Sequence, residues 1–267
     1  MVHPPALKHR AVQIADITPG IIRSLEKKLA LPFDLRPTVV PAPSRSSYRL
    51  LGGREWFTAF AVPRKNQVVL DMSRLENRPE DLYQTLKHEY THLLLHHAIA
   101  RRRLPRWLDE GIAQWASDGL SEYLPAGRHP LLPQAASSGR LFRLDELADR
   151  FPRDHSGLQL AYEQSRSFVN YLVRRFGEDA LRMLLQSLAA GAAPWEAFEE
   201  VFGISLSVAE DDWRADLRRP GFWMANLSGH VYGLLFFAAA VATVWAYLRF
   251  RHRKRHYRAG EEDDPDF

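Results

Sequence analysis

Residues 79–100 read PEDLYQTLKHEYTHLLLHHAIA, and this stretch determines how the rest of the chain is interpreted. Its opening proline, followed by two acidic residues, is typical of the first turn of a helix, so we predict a helix from about 80 to 100. Within it, HEYTH at 88–92 matches the H-E-x-x-H pattern. A spacing of four places His88 and His92 on one helix face, where both imidazoles can bind one Zn²⁺, with Glu89 beside them.

A third metal ligand is expected elsewhere, because a catalytic zinc site has three protein ligands and one open position. Glu110 is the candidate, in the segment WLDEGIAQW at 107–115. It lies 18 positions after His92, which is enough for one helix to end, a loop to turn and an antiparallel helix to return.

The pairing of HEYTH with WLDEGIAQW resembles the gluzincin metallopeptidases, the peptidase MA-like group in which a Trp-Leu-x-Glu-Gly segment supplies the third ligand. The resemblance covers about residues 55 to 175. It implies that His88, His92 and Glu110 bind Zn²⁺ and that Glu89 is the general base. It also implies that a hairpin before the helix provides the edge strand along which the substrate binds.

A donor to the oxyanion is also needed, and Tyr162 is the first candidate. Its segment AYEQS, residues 161–165, resembles the Tyr-x-Lys-Gly segment of aminopeptidase-like gluzincins, although Gln164 and Ser165 replace the lysine and glycine. Packing in the core is the alternative role for Tyr162, and His155 is the second candidate donor. The Gly-x-Met-Glu-Asn motif that holds a free N-terminus in those aminopeptidases is absent, which favours an endopeptidase.

Three polar residues near the motifs are weaker candidates for the metal site. His96 lies too far along a straight helix to join His88 and His92, so we expect it to cap the helix end or face solvent. Asp109 lies about 100° around the helix from Glu110 and is expected at the surface or behind the ligands. Gln114 is expected to hydrogen-bond a ligand histidine or to be exposed. A metzincin is excluded, because its glycine and third histidine are absent.

The predicted fold class is α+β, with a small mixed N-terminal part, an edge-strand hairpin and a mainly helical zincin-type part. Strands are predicted at 36–41, 56–62 and 67–71, the last two joined through 63–66. Helices are predicted at 18–31, about 80–100, 107–118, 158–175, 178–190, 194–202 and 206–218. We divide the chain into an N-terminal α/β subdomain, residues 1–76, and a helical metallopeptidase subdomain, residues 77–225.

Composition excludes several classes of protein. Hydrophobic residues make up 46% and charged residues 25%, which is a globular balance, and the absence of cysteine excludes disulfides, thiolate metal sites and cysteine nucleophiles. The cationic run Arg101, Arg102, Arg103 and Arg106 lacks the interleaved aromatic residues or recognised fold of a nucleic-acid site, so no nucleic-acid partner is expected. A solvated helix end, anionic lipid or an acidic substrate remain as explanations of this run.

Residues 231–248, VYGLLFFAAAVATVWAYL, contain no charge and would span about 27 Å as a helix, close to the thickness of a bilayer core. A cationic cluster opens the charged tail, residues 249–267. The positive-inside rule therefore predicts a transmembrane helix with a cytoplasmic tail and an extracytoplasmic catalytic domain. The N-terminus shows no signal-peptide core, so we expect a signal that was removed or lies upstream; a cytosolic domain on a tail anchor is the alternative.

These features together predict a membrane-anchored zinc metallopeptidase that acts on peptide or protein substrates. A catalytically inactive binding or scaffold protein is one alternative, and the intact Glu89 disfavours it. An intramembrane protease is another, which the charges of Lys87 and Glu89 within the motif helix disfavour.

Overall fold

The computed structural model describes residues 7–75, 79–101, 103–118, 131–219, 236, 239–247 and 249. The chain divides into two compact units, Met1–Ala215 and Asp216–Phe267. Within the described ranges, no helix combines the length and the apolar character needed to span a membrane. Residues 231–235, 237, 238 and 248 of the predicted span, and the tail after Arg249, lie outside the described residues.

The described elements combine one small sheet with many helices, so the predicted α+β class is confirmed. The strands are β1 Thr38–Ala42, β2 Ala59–Val62 and β3 Gln67–Asp71. The helices are α1 Lys8–Leu29, α2 Arg45–Leu50, α3 Met72–Leu75, α4 Pro79–Ala98, α5 Arg106–Ala116, α6 Leu132–Ser137, α7 Glu146–Asp149, α8 His155–Phe176, α9 Glu178–Ala189, α10 Pro194–Phe202 and α11 Leu206–Leu217.

The sheet has the order β1-β3-β2, with β3 in the centre. The predicted hairpin is confirmed, because β2 pairs antiparallel with β3 and Val62 lies opposite Gln67. Its turn ends at Asn66, whose φ of 47° is left-handed, a conformation that asparagine tolerates better than most residues. In the described sheet β2 is an edge strand, while β1 pairs parallel with β3, a pairing that the sequence did not predict.

Helix α1 begins at Lys8, ten residues before the predicted start, and contains Pro19 in its interior. The helix continues through the proline because both of its halves bury apolar residues, including Ile14 and Ile21. A hydrogen bond of 3.1 Å between the hydroxyls of Thr18 and Tyr90 joins α1 to α4 at this level. Tertiary packing therefore overrides the local helix-breaking tendency of proline.

Helices α5 and α8 approach each other closely at Gly111. A Cβ atom at this position would lie 2.6 Å from the carbonyl oxygen of Ser165 and 2.6 Å from a methyl group of Val169. Only glycine permits this contact without displacing backbone. The close approach brings Tyr162 of α8 next to Glu110 of α5.

Arg45 on α2 holds the chain segment that leads into β2. Its guanidinium donates to the carbonyl oxygens of Arg54 at 2.8 Å, of Glu55, and of Phe57 at 2.9 Å. It also pairs at 2.8 Å with Asp71, a fully buried carboxylate at the end of β3. One arginine thus fixes residues 54–57 against the sheet.

Candidate metal centre

Helix α4 carries three of the predicted site residues. His88 and Glu89 are buried, and the side chain of His92 is 13% exposed. Because a spacing of four places residues on the same helix face, the two imidazoles lie side by side with their Nε2 atoms 3.2 Å apart.

Glu110 joins these histidines from α5, which packs against α4. Its Oε2 atom lies 3.8 Å from Nε2 of His88 and 3.5 Å from Nε2 of His92. Three donors placed tetrahedrally about 2.0–2.1 Å from a zinc ion are separated by about 3.3–3.4 Å. The observed separations of 3.2, 3.5 and 3.8 Å lie around that value. The three side chains therefore fit a single metal ion.

Asp109 lies behind the ligand His92, which is one of the two positions expected for it; the other was the protein surface. Its Oδ1 atom is 2.9 Å from Nδ1 of His92, and its Oδ2 atom is 3.1 Å from Nε2 of His96. A carboxylate at Nδ1 favours the tautomer protonated there and leaves the Nε2 lone pair for a metal. His96 is 44% exposed, as expected, and in addition it contacts Asp109.

Burial and neighbouring charges set the protonation of this cluster. Burial, with a further contribution from His92, lowers the pKa of His88 to about 3. Burial raises the pKa of Glu110, but the two histidines outweigh it and the net pKa is lowered. Burial likewise lowers the pKa of His92, yet Asp109 and Glu110 raise it well above the usual value. His88 and Glu110 are therefore in metal-binding forms near neutral pH, and the raised pKa of His92 means that metal binding there competes with protons.

The three candidate metal ligands line a cleft of about 420 Å³. Glu89 lines it together with the three donors, so a carboxylate outside the donor set is present in the same cavity. The wall on the sheet side is mainly apolar and is formed by Phe57, Ala59, Phe60, Ala61 and Pro63. The wall on the helix side is more polar and includes Arg103, Leu104, Arg106, Asp149 and Tyr162.

Tyr162 lies in this cleft, with its ring close to those of Phe57 and Phe151. Its hydroxyl donates a hydrogen bond of 3.1 Å to Oε1 of Glu110, whereas Oε2 of the same carboxylate lies 3.5 Å from His92. The structure therefore brings Tyr162 to the candidate metal ligands. Its predicted role as an oxyanion donor remains a prediction.

The structure places two further candidates away from the cleft lining. His155 begins α8, where its ring lies 5.1 Å from that of Trp56, and it is not among the described residues that line the cleft. The expectation for Gln114 was wrong. Its side chain is buried and donates to the backbone carbonyls of Tyr162 and Glu110, so it joins α5 to α8 rather than touching a histidine.

Arg106 is a cleft residue that the sequence did not assign to the site. It is the first residue of α5, and its Nη2 atom lies 3.6 Å from Oε1 of Glu110. Its spacing of four from Glu110 was the available signal, because that spacing places two residues on one helix face.

A family model described as the Peptidase MA superfamily matches residues 49–219, which is more than half of the chain. The matched range contains HEYTH, Glu110 and Tyr162. No curated protein matches the chain.

Proposed function

Because the chain belongs to the Peptidase MA superfamily, we propose that it is a zinc-dependent metallopeptidase of the gluzincin type that hydrolyses peptide or protein substrates. The observation that carries the proposal is the convergence of His88, His92 and Glu110 from two helices, with Glu89 in the same cleft. Two imidazoles and one carboxylate are typical of catalytic zinc sites, because three protein ligands leave one coordination position open.

A zinc ion bound by His88, His92 and Glu110 would supply Lewis-acid chemistry toward the scissile carbonyl and would lower the pKa of a bound water. In the proposed mechanism, Glu89 is the general base. Its carboxylate accepts a proton from the attacking water and then donates that proton to the nitrogen of the departing amine. Because Glu89 is only 2% exposed, bulk water has little access to the proton between these two steps.

We assign Tyr162 the role of hydrogen-bond donor to the oxyanion that forms when the carbonyl is attacked. Support comes from its position in the cleft, with its hydroxyl 3.1 Å from the third ligand. The edge strand β2 supports binding of an extended peptide beside the site, because its backbone is paired on one side only in the described sheet. We propose endopeptidase action along this edge.

The charge-free stretch 231–248 and the basic cluster after it support attachment to a membrane. We propose that this segment is a single-pass anchor with a cytoplasmic tail and an extracytoplasmic catalytic domain. Protease protection in sealed vesicles of known orientation tests this topology. Digestion of the domain only from the cytoplasmic side would contradict it.

Elemental analysis of the purified full chain tests the metal site. We expect about one zinc per chain, and we expect it to be lost in His88→Ala and in Glu110→Ala. His97→Ala is the matched control, because His97 is an exposed histidine of the same helix outside the donor set. Absence of zinc from the folded wild-type chain would overturn the proposal. Zinc that is present without any hydrolysis of a peptide library would favour the inactive binding protein instead.

A further inference from the structure

Three arginines line the cleft without a role in the proposed chemistry: Arg54, Arg103 and Arg106. Arg106 lies nearest to the metal ligands, but its distance of 3.6 Å from Glu110 is too long for a good hydrogen bond. Among the described residues, no hydrogen bond involves its guanidinium, and its side chain is 33% exposed. Its N–H donors are therefore available to a molecule in the cleft.

An aromatic ring holds the guanidinium of Arg106 in place. Its central carbon lies 4.7 Å from the ring centroid of Phe151, which in turn packs edge to face against Tyr162. Stacking restricts the guanidinium while leaving the donors at its edge accessible. A fixed pair of parallel N–H donors suits a carboxylate, which can accept both.

Four carboxylates line the cleft, and each already has a contact or a role; Glu89 is the proposed general base. Asp109 contacts two histidines, and Asp149 pairs at 3.7 Å with Arg103. Glu110, the nearest carboxylate to Arg106, faces the histidines through its other oxygen. Arg54 is exposed and forms no ion pair within the part of the chain that the structure describes. Arg106 and Arg54 are therefore the cations of the cleft lining that a ligand can still engage.

We propose that the substrate carries a carboxylate close to the scissile bond and that Arg106 binds it, with Arg54 adding attractive charge. This inference rests on the proposed peptidase function and specifies its substrate class as acidic peptides. A neutral residue at that position would leave a partly desolvated guanidinium with only its long contact of 3.6 Å to Glu110. The carboxylate can belong to an Asp or Glu side chain or to the C-terminus of the peptide.

Cleavage of matched peptides by the zinc-loaded full chain tests the proposal. The peptides carry Glu, Gln or Lys on either side of the cleaved bond, each with a free or an amidated C-terminus. We expect kcat/KM to be at least about tenfold higher for Glu than for Gln. If the higher kcat/KM depends on the Glu side chain, Arg106 binds an acidic side chain of the substrate. If it disappears when the C-terminus is amidated, Arg106 binds the C-terminal carboxylate.

The variants then assign the preference to one residue. We expect Arg106→Gln to abolish the preference, mainly through KM, and Arg106→Lys to retain part of it, because lysine keeps the charge but not the paired donors. Arg103→Gln is the matched control and should keep the preference, since Arg103 is exposed and pairs with Asp149.

Binding to the zinc-loaded Glu89→Gln variant separates this proposal from the catalytic one, because it requires no cleavage. Fluorescence anisotropy should show Glu peptides bound about tenfold more tightly than Gln peptides, and the added Arg106→Gln change should remove the difference. Equal affinity for Glu, Gln and Lys peptides would overturn the proposal. An Arg106→Gln change that weakens the binding of all three peptides equally would also overturn it. Either result would leave zinc content and hydrolysis, and hence the peptidase function, untouched.

Discussion

The floor of the cleft and its sheet-side wall are held in different ways. The floor consists of buried side chains from α4 and α5, including His88 and Glu110, which stand in two recognisable sequence motifs. The wall consists of β2 and residues 54–57, which Arg45 fixes from a separate helix. The comparison teaches that the chemistry depends on two helices that carry motifs, whereas the shape of the cleft depends on hydrogen bonds to main-chain carbonyls, which no motif marks.

The largest expected effect is on the floor, in Glu89→Gln. We expect kcat to fall by about 10²–10⁴-fold, because glutamine cannot accept the proton from water. Zinc content should stay at the wild-type level, since Glu89 is not in the donor set. Steady-state kinetics on a cleaved peptide, with metal analysis of the same sample, measures both. Wild-type turnover in this variant would refute the role of Glu89.

On the wall, Arg45→Gln should destabilise the fold without affecting the metal. The change leaves Asp71 buried without its main cationic partner, and we expect the free energy of unfolding to fall by about 2–3 kcal/mol. Urea denaturation of the zinc-loaded chain measures this. Arg49→Gln is the control on the same helix, because its pair with Glu55 is exposed and should contribute less than about 1 kcal/mol. Loss of zinc from the Arg45→Gln variant would show that metal binding by the floor depends on the wall.

Asp109→Asn should weaken zinc binding by about 10–100-fold, because a neutral amide holds the His92 imidazole less well than a carboxylate. Competition with a chromophoric chelator gives the affinity. Unchanged zinc affinity would show that the Asp109–His92 contact does not orient the ligand.

The smallest effect is expected from His96→Gln. His96 reaches the metal ligands only through Asp109 and is 44% exposed, so we expect zinc affinity to fall only about twofold to fivefold. The same chelator competition applies, and His97→Gln, which changes an exposed neighbour, should leave the affinity unchanged. A loss of zinc affinity as large as that of Asp109→Asn would show that the exposed His96 contributes to the metal site as strongly as Asp109 does.

The difference between floor and wall also determined what could be predicted from the sequence. The spacing of His88 and His92 and the motif around Glu110 are local signals, and the structure brings these residues together. No motif indicates that Arg45 binds three carbonyl oxygens, because a backbone carbonyl carries no residue identity. The parallel pairing of β1 with β3 was not predicted because Thr38 and its partner Gln67 are far apart in the sequence. The role of Gln114 was misjudged because its partner on α8, the carbonyl oxygen of Tyr162, is 48 residues away.

The contact at Gly111 affects which amino-acid substitutions the sequence can accumulate during evolution. Because a glycine backbone abuts α8 there, the spacing between Glu110 and Tyr162 is set by main chain and not by the packing of large side chains. Substitutions elsewhere in the core can accumulate without changing that spacing. Such an arrangement lets the residues of the cleft wall vary to accept new substrates while the metal site keeps one geometry.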